Sequence, residues 1–157
     1  MVTSANLSAM TDTHGAESPT TFPDDAALAA LRASTAGTLI ERMGITLVEV
    51  APDRVTGSMP VAGNTQPAGL LHGGASVVLA ETLGSIAAQI HAGEGRAAVG
   101  IEINATHHRG VRSGSVHGVA TALHLGRTTA SYEIVVVDDE ARRVCTARLT
   151  CMVLDGR

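Results

Sequence analysis

A chain of 157 residues, 45% hydrophobic and 17% charged, is long enough to bury one core without disulfide or metal staples and too apolar to stay unfolded. Its formal charge of -4 lacks the clustered excess of Lys and Arg that a nucleic-acid or anionic-membrane surface requires. Uninterrupted apolar runs fall well short of the roughly 20 residues of a membrane-spanning helix, and no basic stretch followed by an apolar one opens the chain, so the expected setting is the cytoplasm.

Residues 1–23 are rich in Ser, Thr, Ala and Pro without apolar period and are expected to form a flexible N-terminal tail ahead of a single domain over 24–157. From Asp24 to about Met43 the pattern is helical, with Asp24 or Asp25 able to cap it and Leu28, Leu31 and Leu39 spaced for a buried stripe. Thr46 to Val50 and Arg54 to Val61, around a Pro-Asp turn, predict a hairpin. Gly73 to about Ala92 carries apolar residues over nearly its whole circumference, so this helix belongs inside something. Strands are expected at Ala97 to Ala105, Ser115 to Leu125, Thr128 to Val137 and Val144 to Leu154, with turns at Gly126-Arg127 and Asp138-Asp139-Glu140.

The economical architecture is α+β, an antiparallel β-sheet wrapped around one long central helix. With one Tyr, one Phe and no Trp, the core must be Ala, Val, Leu and Ile, and helix and sheet can approach closely. Cys145 and Cys151 lie an even number apart on one strand, about 20 Å from each other. That is too far for a bridge or a shared metal, and both read as core-facing packing residues.

The chemistry concentrates between Gln66 and Ser85. The His72-Gly73-Gly74 turn delivers the chain straight into the long helix, leaving unpaired amides and the positive end of the dipole at its first turn. Such donors suit a carbonyl that becomes an oxyanion, although two glycines can also serve only to let a turn pack against a sheet. Glu81 is a carboxylate on a helix otherwise apolar, and burial would raise its pKa and make it a better base. A core Glu satisfied by a sheet residue is the alternative. Ser85, one turn further, can bond that carboxylate or its water. Eight residues of helix separate Gly73 from Glu81 by roughly 12 Å. One helix cannot bring both to one carbonyl, so a two-fold dimer with shared sites is expected. Arg109, Arg112 and Arg127 sit at strand ends suited to phosphate, or to ordinary solvated turns. His107 and His108 face opposite sides of their strand with no ligand-spaced partner, and no metal or other cofactor is expected.

Gln66, the run from Leu70 through His72, Gly73 and Gly74 to Glu81, Ser85, the stretch Glu102 to Arg109 and Leu123 to Arg127 resemble the hotdog-fold thioesterases related to the phenylacetate-pathway and 4-hydroxybenzoyl-CoA enzymes. The resemblance covers about Gly44 to Leu154. It implies Glu81 as base or nucleophile, the Gly73 amide as polariser of the thioester carbonyl, Gln66 and His72 as aligning groups and Ser85 as helper of the attacking water. Gly100, then His107, His108, Arg109 and Gly110, then His124, Leu125, Gly126, Arg127, Thr128 and Thr129 match substrate- and coenzyme-binding segments. Also implied is hydrolysis of an aryl-CoA such as 1,4-dihydroxy-2-naphthoyl-CoA, a step of menaquinone synthesis, by a homodimer assembled into a dimer of dimers. The alternatives are a proofreading thioesterase that clears groups misloaded on a carrier protein, a non-catalytic acyl-CoA sensor and a dehydratase. Ala68 and Gly110 depart from the family's usual Phe and Ser or Pro, at the acyl pocket and the coenzyme loop.

Overall fold

A computed structural model describes residues 25–156 of the chain. The tail expected over 1–23, and Asp24 as a cap, lie outside the described residues. The elements run α1 (Asp25–Ser34), α2 (Leu39–Arg42), β1 (Thr46–Val50), β2 (Arg54–Pro60), α3 (Gly73–Ala92), β3 (Arg96–His107), β4 (Ser115–Leu125), β5 (Thr129–Asp138) and β6 (Arg143–Asp155). All six strands pair antiparallel in one sheet, ordered β1-β2-β4-β5-β6-β3, and α3 packs against five of them. The fold is α+β, as the pattern predicts.

The continuous helix expected from Asp24 to Met43 is instead broken at Gly37, whose φ of 74° is a conformation L side chains avoid. Because α2 restarts out of phase with α1, Ile40 rather than Leu39 turns to the core, and Leu39 is exposed. Leu28 and Leu31 do pack there.

Helix α3 begins at His72 and ends at Gly93, where φ is 76°. Its buried residues recur as Ala75-Ser76, Leu79-Ala80, Leu83-Gly84 and Ala87-Ala88, one face of a 3.6-residue period. Length and hydropathy would also suit α3 to a bilayer, but this face is the centre of the protein's own core. Leu83 is fully buried between two glycines, and a β-carbon on Gly118 would stand 2.6 Å from its Cδ1. Similarly, one on Gly84 would stand 2.7 Å from Leu149 Cδ2. Small residues therefore let helix and sheet close on each other, as a core poor in aromatics requires. Truncating Leu83 to Ala is expected to cost about 2–5 kcal/mol.

On β6, Cys145, Ala147, Leu149, Cys151 and Val153 all face this core, and both thiols are free. Tyr132 is also fully buried, its hydroxyl donating to the Pro52 carbonyl at 3.0 Å.

The other face of α3 is not covered. Gly74, Glu81, Gln89 and Ile90 are exposed, and Val77, Val78, Thr82 and Ser85 are half-buried. The helix is thus enclosed on one side by its own sheet and open on the other.

Candidate active site

The turn before α3 is tied down from several directions. Asn64 donates through Nδ2 to the carbonyls of Met43 and Pro60, both at 2.9 Å, while its own carbonyl accepts from the His72 amide. Leu71 donates to the Val111 carbonyl at 2.7 Å. The Gln66 side-chain oxygen accepts from the Ala68 amide at 2.6 Å, so what Gln66 offers a neighbour is its N–H pair.

His72 caps the helix. Its Nδ1 accepts from the Gly74 amide at 2.9 Å, which places the ring proton of the neutral form on Nε2. Ala75 and Ser76 both donate to the His72 carbonyl. Of the first-turn amides only that of Gly73 has no hydrogen-bond partner among the described residues.

Gly73 lines a cleft of about 360 Å³ whose walls also include Gln66, His107, His108, Arg109 and Gly110. His107 lies over Gly73. His108 points the other way, its Nε2 within 3.0 Å of the Thr146 hydroxyl, as expected for neighbours at a strand end. Arg109 is anchored through its main chain to Val144, and its guanidinium has no acidic partner among the described residues.

Glu81 stands apart from this cleft. The apolar ring of the helix predicts burial, but in the single chain Glu81 is exposed, because it belongs to the uncovered face of α3. Its Oε1 sits above Gly100, where an added β-carbon would come within 3.6 Å. Ser85 hydrogen-bonds the Cys151 thiol beneath it, not the carboxylate. Burial pushes that thiol up, the Ser85 bond offsets part of the rise, and the Glu81 charge adds to it. Gly100 and Cys151 are register partners on β3 and β6, so helix and sheet together form the floor under Glu81.

A third group, His124, Leu125, Gly126, Arg127, Thr128 and Thr129, makes the β4–β5 hairpin at the far end of α3, where His91 reaches Gly126. One chain therefore assembles three separate clusters: an amide-lined cleft, a mid-helix carboxylate and a basic hairpin. Two contributors were missed in the sequence. Ser76 is 2% exposed and lines the cleft floor, and its i+3 spacing from Gly73 was the available signal. Cys151 reads as packing alone, and its contact with Ser85 depends on a register that sequence does not show.

The model of the thioesterase superfamily matches residues 68–145 of the chain. The proofreading thioesterase EntH of Klebsiella pneumoniae is 52% identical over 128 residues, covering 81% of this chain and 93% of that protein. Among solved structures, a thioesterase of Haemophilus influenzae superposes with a TM-score of 0.78 at 39% identity, over 82% of this chain and 90% of that one. A mutant thioesterase of Pseudomonas aeruginosa gives 0.79 at 44% identity, over 85% and 95%. With half of its aligned residues shared along nearly the full length of such relatives, and with the same helix-on-sheet architecture, this chain belongs to the thioesterase superfamily and is a thioester hydrolase of the hotdog fold.

Proposed function

We propose that the protein is a proofreading thioesterase, releasing aryl or acyl groups misloaded on a carrier protein, at sites shared between two subunits. The observation that carries the site is the Gly73 amide, the one first-turn donor left without a partner among the described residues, on a residue that lines the cleft. The proofreading assignment is supported by the names of the curated relatives. Nothing among them supports the expected 1,4-dihydroxy-2-naphthoyl-CoA substrate or a place in menaquinone synthesis.

In this reading the Gly73 amide and the Gln66 N–H groups polarise the thioester carbonyl at the positive end of α3. His72 holds the turn by capping it. Glu81 of the partner subunit either draws a proton from water as that water attacks or attacks the carbonyl itself; the C–S bond then breaks and the thiolate leaves, and in the second case water cleaves the acyl-Glu81 anhydride to free the acid and restore the carboxylate. The basic hairpin and Arg109 bind the phosphate of the donor arm.

Two features support the shared site. The open face of α3 carries Glu81 among Val77, Val78, Thr82 and Ser85, which a second chain would cover. In addition, β3 is a 12-residue sheet edge with Val99 47% and Ile101 53% exposed. An edge of that length invites pairing with its own copy about a two-fold axis. The partner's start of α3 would then face this chain's Glu81, and a dimer of dimers follows by the same resemblance.

The test is thiol release from benzoyl-loaded carrier protein and from benzoyl-CoA. Higher kcat/KM is expected on the carrier, and Glu81→Gln should lower kcat by roughly 10²–10⁴-fold while leaving the assembly intact. Near-normal turnover by Glu81→Gln would remove the proposed base, and preference for the CoA donor would remove the proofreading assignment.

A further inference from the structure

The last turn of α3 and the first residue of β3 together grip the β4–β5 hairpin by its carbonyls. His91 Nε2 donates to the Gly126 carbonyl at 2.8 Å, and Arg96 Nη1 donates to the Arg127 carbonyl at 3.1 Å. Arg96 is itself fixed, its Nε donating to the Ala92 carbonyl at 2.7 Å. Gln89 braces the same gap, donating to the Arg96 carbonyl and accepting from the Ala98 amide. From the sheet side, Val153 donates to the Thr128 carbonyl, and Gly126 donates to that of Thr129.

Two successive carbonyls, those of Gly126 and Arg127, are thus turned inward, toward the end of α3 and the start of β3. In a planar trans peptide the N–H points away from the C=O of the same unit. The amides of Arg127 and Thr128, which complete those two units, therefore face outward, and among the described residues neither has an acceptor. Consecutive outward amides form a concavity for an anion. The Arg127 side chain, exposed and without an acidic partner among the described residues, stands at the same spot.

We propose that His91 and Arg96 are positioning residues for thioester hydrolysis: by holding the Gly126 and Arg127 carbonyls inward they present the Arg127 and Thr128 amides to a phosphate of the donor. The inference rests on the reading above that this hairpin meets the phosphate-bearing arm. Coenzyme A and a carrier-linked phosphopantetheine share that chemistry. Neither residue touches the thioester, so each acts through the turn.

The test compares three donors of one acyl group: benzoyl-CoA, benzoyl-loaded carrier protein and benzoyl-pantetheine, which has no phosphate. His91→Leu and Arg96→Met are expected to raise KM for benzoyl-CoA by roughly five- to tenfold, the factor one ordered hydrogen bond is worth, with kcat near wild type. KM for benzoyl-pantetheine should not move, and His91→Gln, which keeps a donor, should restore the wild-type value. An equal rise with the carrier donor assigns the pantetheine 4′-phosphate, which both donors carry, as the ligand. A rise with benzoyl-CoA alone assigns the nucleotide phosphates.

Independently of turnover, titration with adenosine 3′,5′-bisphosphate should shift the Arg127 and Thr128 amide resonances in the wild type and not in His91→Leu. If Arg127→Met raises KM for benzoyl-CoA while His91→Leu and Arg96→Met do not, the latch is overturned and the phosphate reading stands. Should none of the three variants move KM, the phosphate reading falls and the latch with it. An equal rise on all three donors would mark the latch as merely structural and overturn it.

Discussion

The His107 imidazole lies across Gly73 at the start of α3, so near that a β-carbon on the glycine would stand 2.9 Å from Nε2. The crowding atom is the far end of an exposed side chain, so the ring can swing aside at small cost to the fold. A methyl group there would nevertheless project into the mouth of the cleft, between the free amide and an arriving carbonyl. Gly73→Ala is therefore expected to melt near the wild-type temperature while losing activity on the order of 10²-fold, the scale of a misplacement of about 1 Å. Thermal melts and kcat/KM measured on the same preparation check this. Equal losses of stability and activity would make the glycine a folding residue only.

Mixing two inactive variants tests the shared site. In a Gly73→Ala and Glu81→Gln heterodimer, one site collects both lesions and the other has neither, provided the two groups come from different subunits. Equal mixing with free subunit exchange should then recover about a quarter of wild-type activity, since half the dimers carry one intact site of two. If each site is built within one chain, every subunit carries a lesion and the mixture stays inactive.

Local pattern carries far in this chain, and partnership does not. The bounds of α3 and the hairpin β1–β2 follow from periodicity and turn chemistry, and the inward row on β6 follows from alternation alone. The roughly 12 Å between Gly73 and Glu81 follows from helix rise. Apolar residues ringing the helix predict a buried Glu81, yet such a ring says only that both faces will be covered. Whether the cover comes from the same chain is a property of tertiary structure, and here the sheet closes over one face only. The position of the His124–Thr129 hairpin at the far end of α3 was hidden for a related reason. It depends on β4 and β5 pairing side by side while β3 crosses to the opposite edge, a long-range choice that no local signal encodes.

The β5–β6 turn makes a prediction about acid stability. Asp138 is 3% exposed, and burial, the largest influence on it, raises its pKa. The Arg142 amide and guanidinium and the Glu140 amide outweigh burial and hold the carboxyl below the usual carboxylate range. Oδ1 accepts from both amides at 3.0 Å and Oδ2 from Arg142 Nε at 2.8 Å. This cage closes a turn in which Ala141 adopts a φ of 59°, so its loss would release a strained backbone. Above the ordinary Asp value of about 3.9 the carboxylate is charged in both folded and unfolded chains, and its stabilisation is complete. As pH falls below about 4 the unfolded chain takes up the proton first, and the contribution is lost as pH drops through the lowered folded value. Asp138→Asn removes the charge at every pH. Melting temperatures from neutral pH downward should show the wild type well above the variant until about pH 4 and converging on it below. Parallel curves across the acid range would mean that the caged charge contributes nothing to the fold.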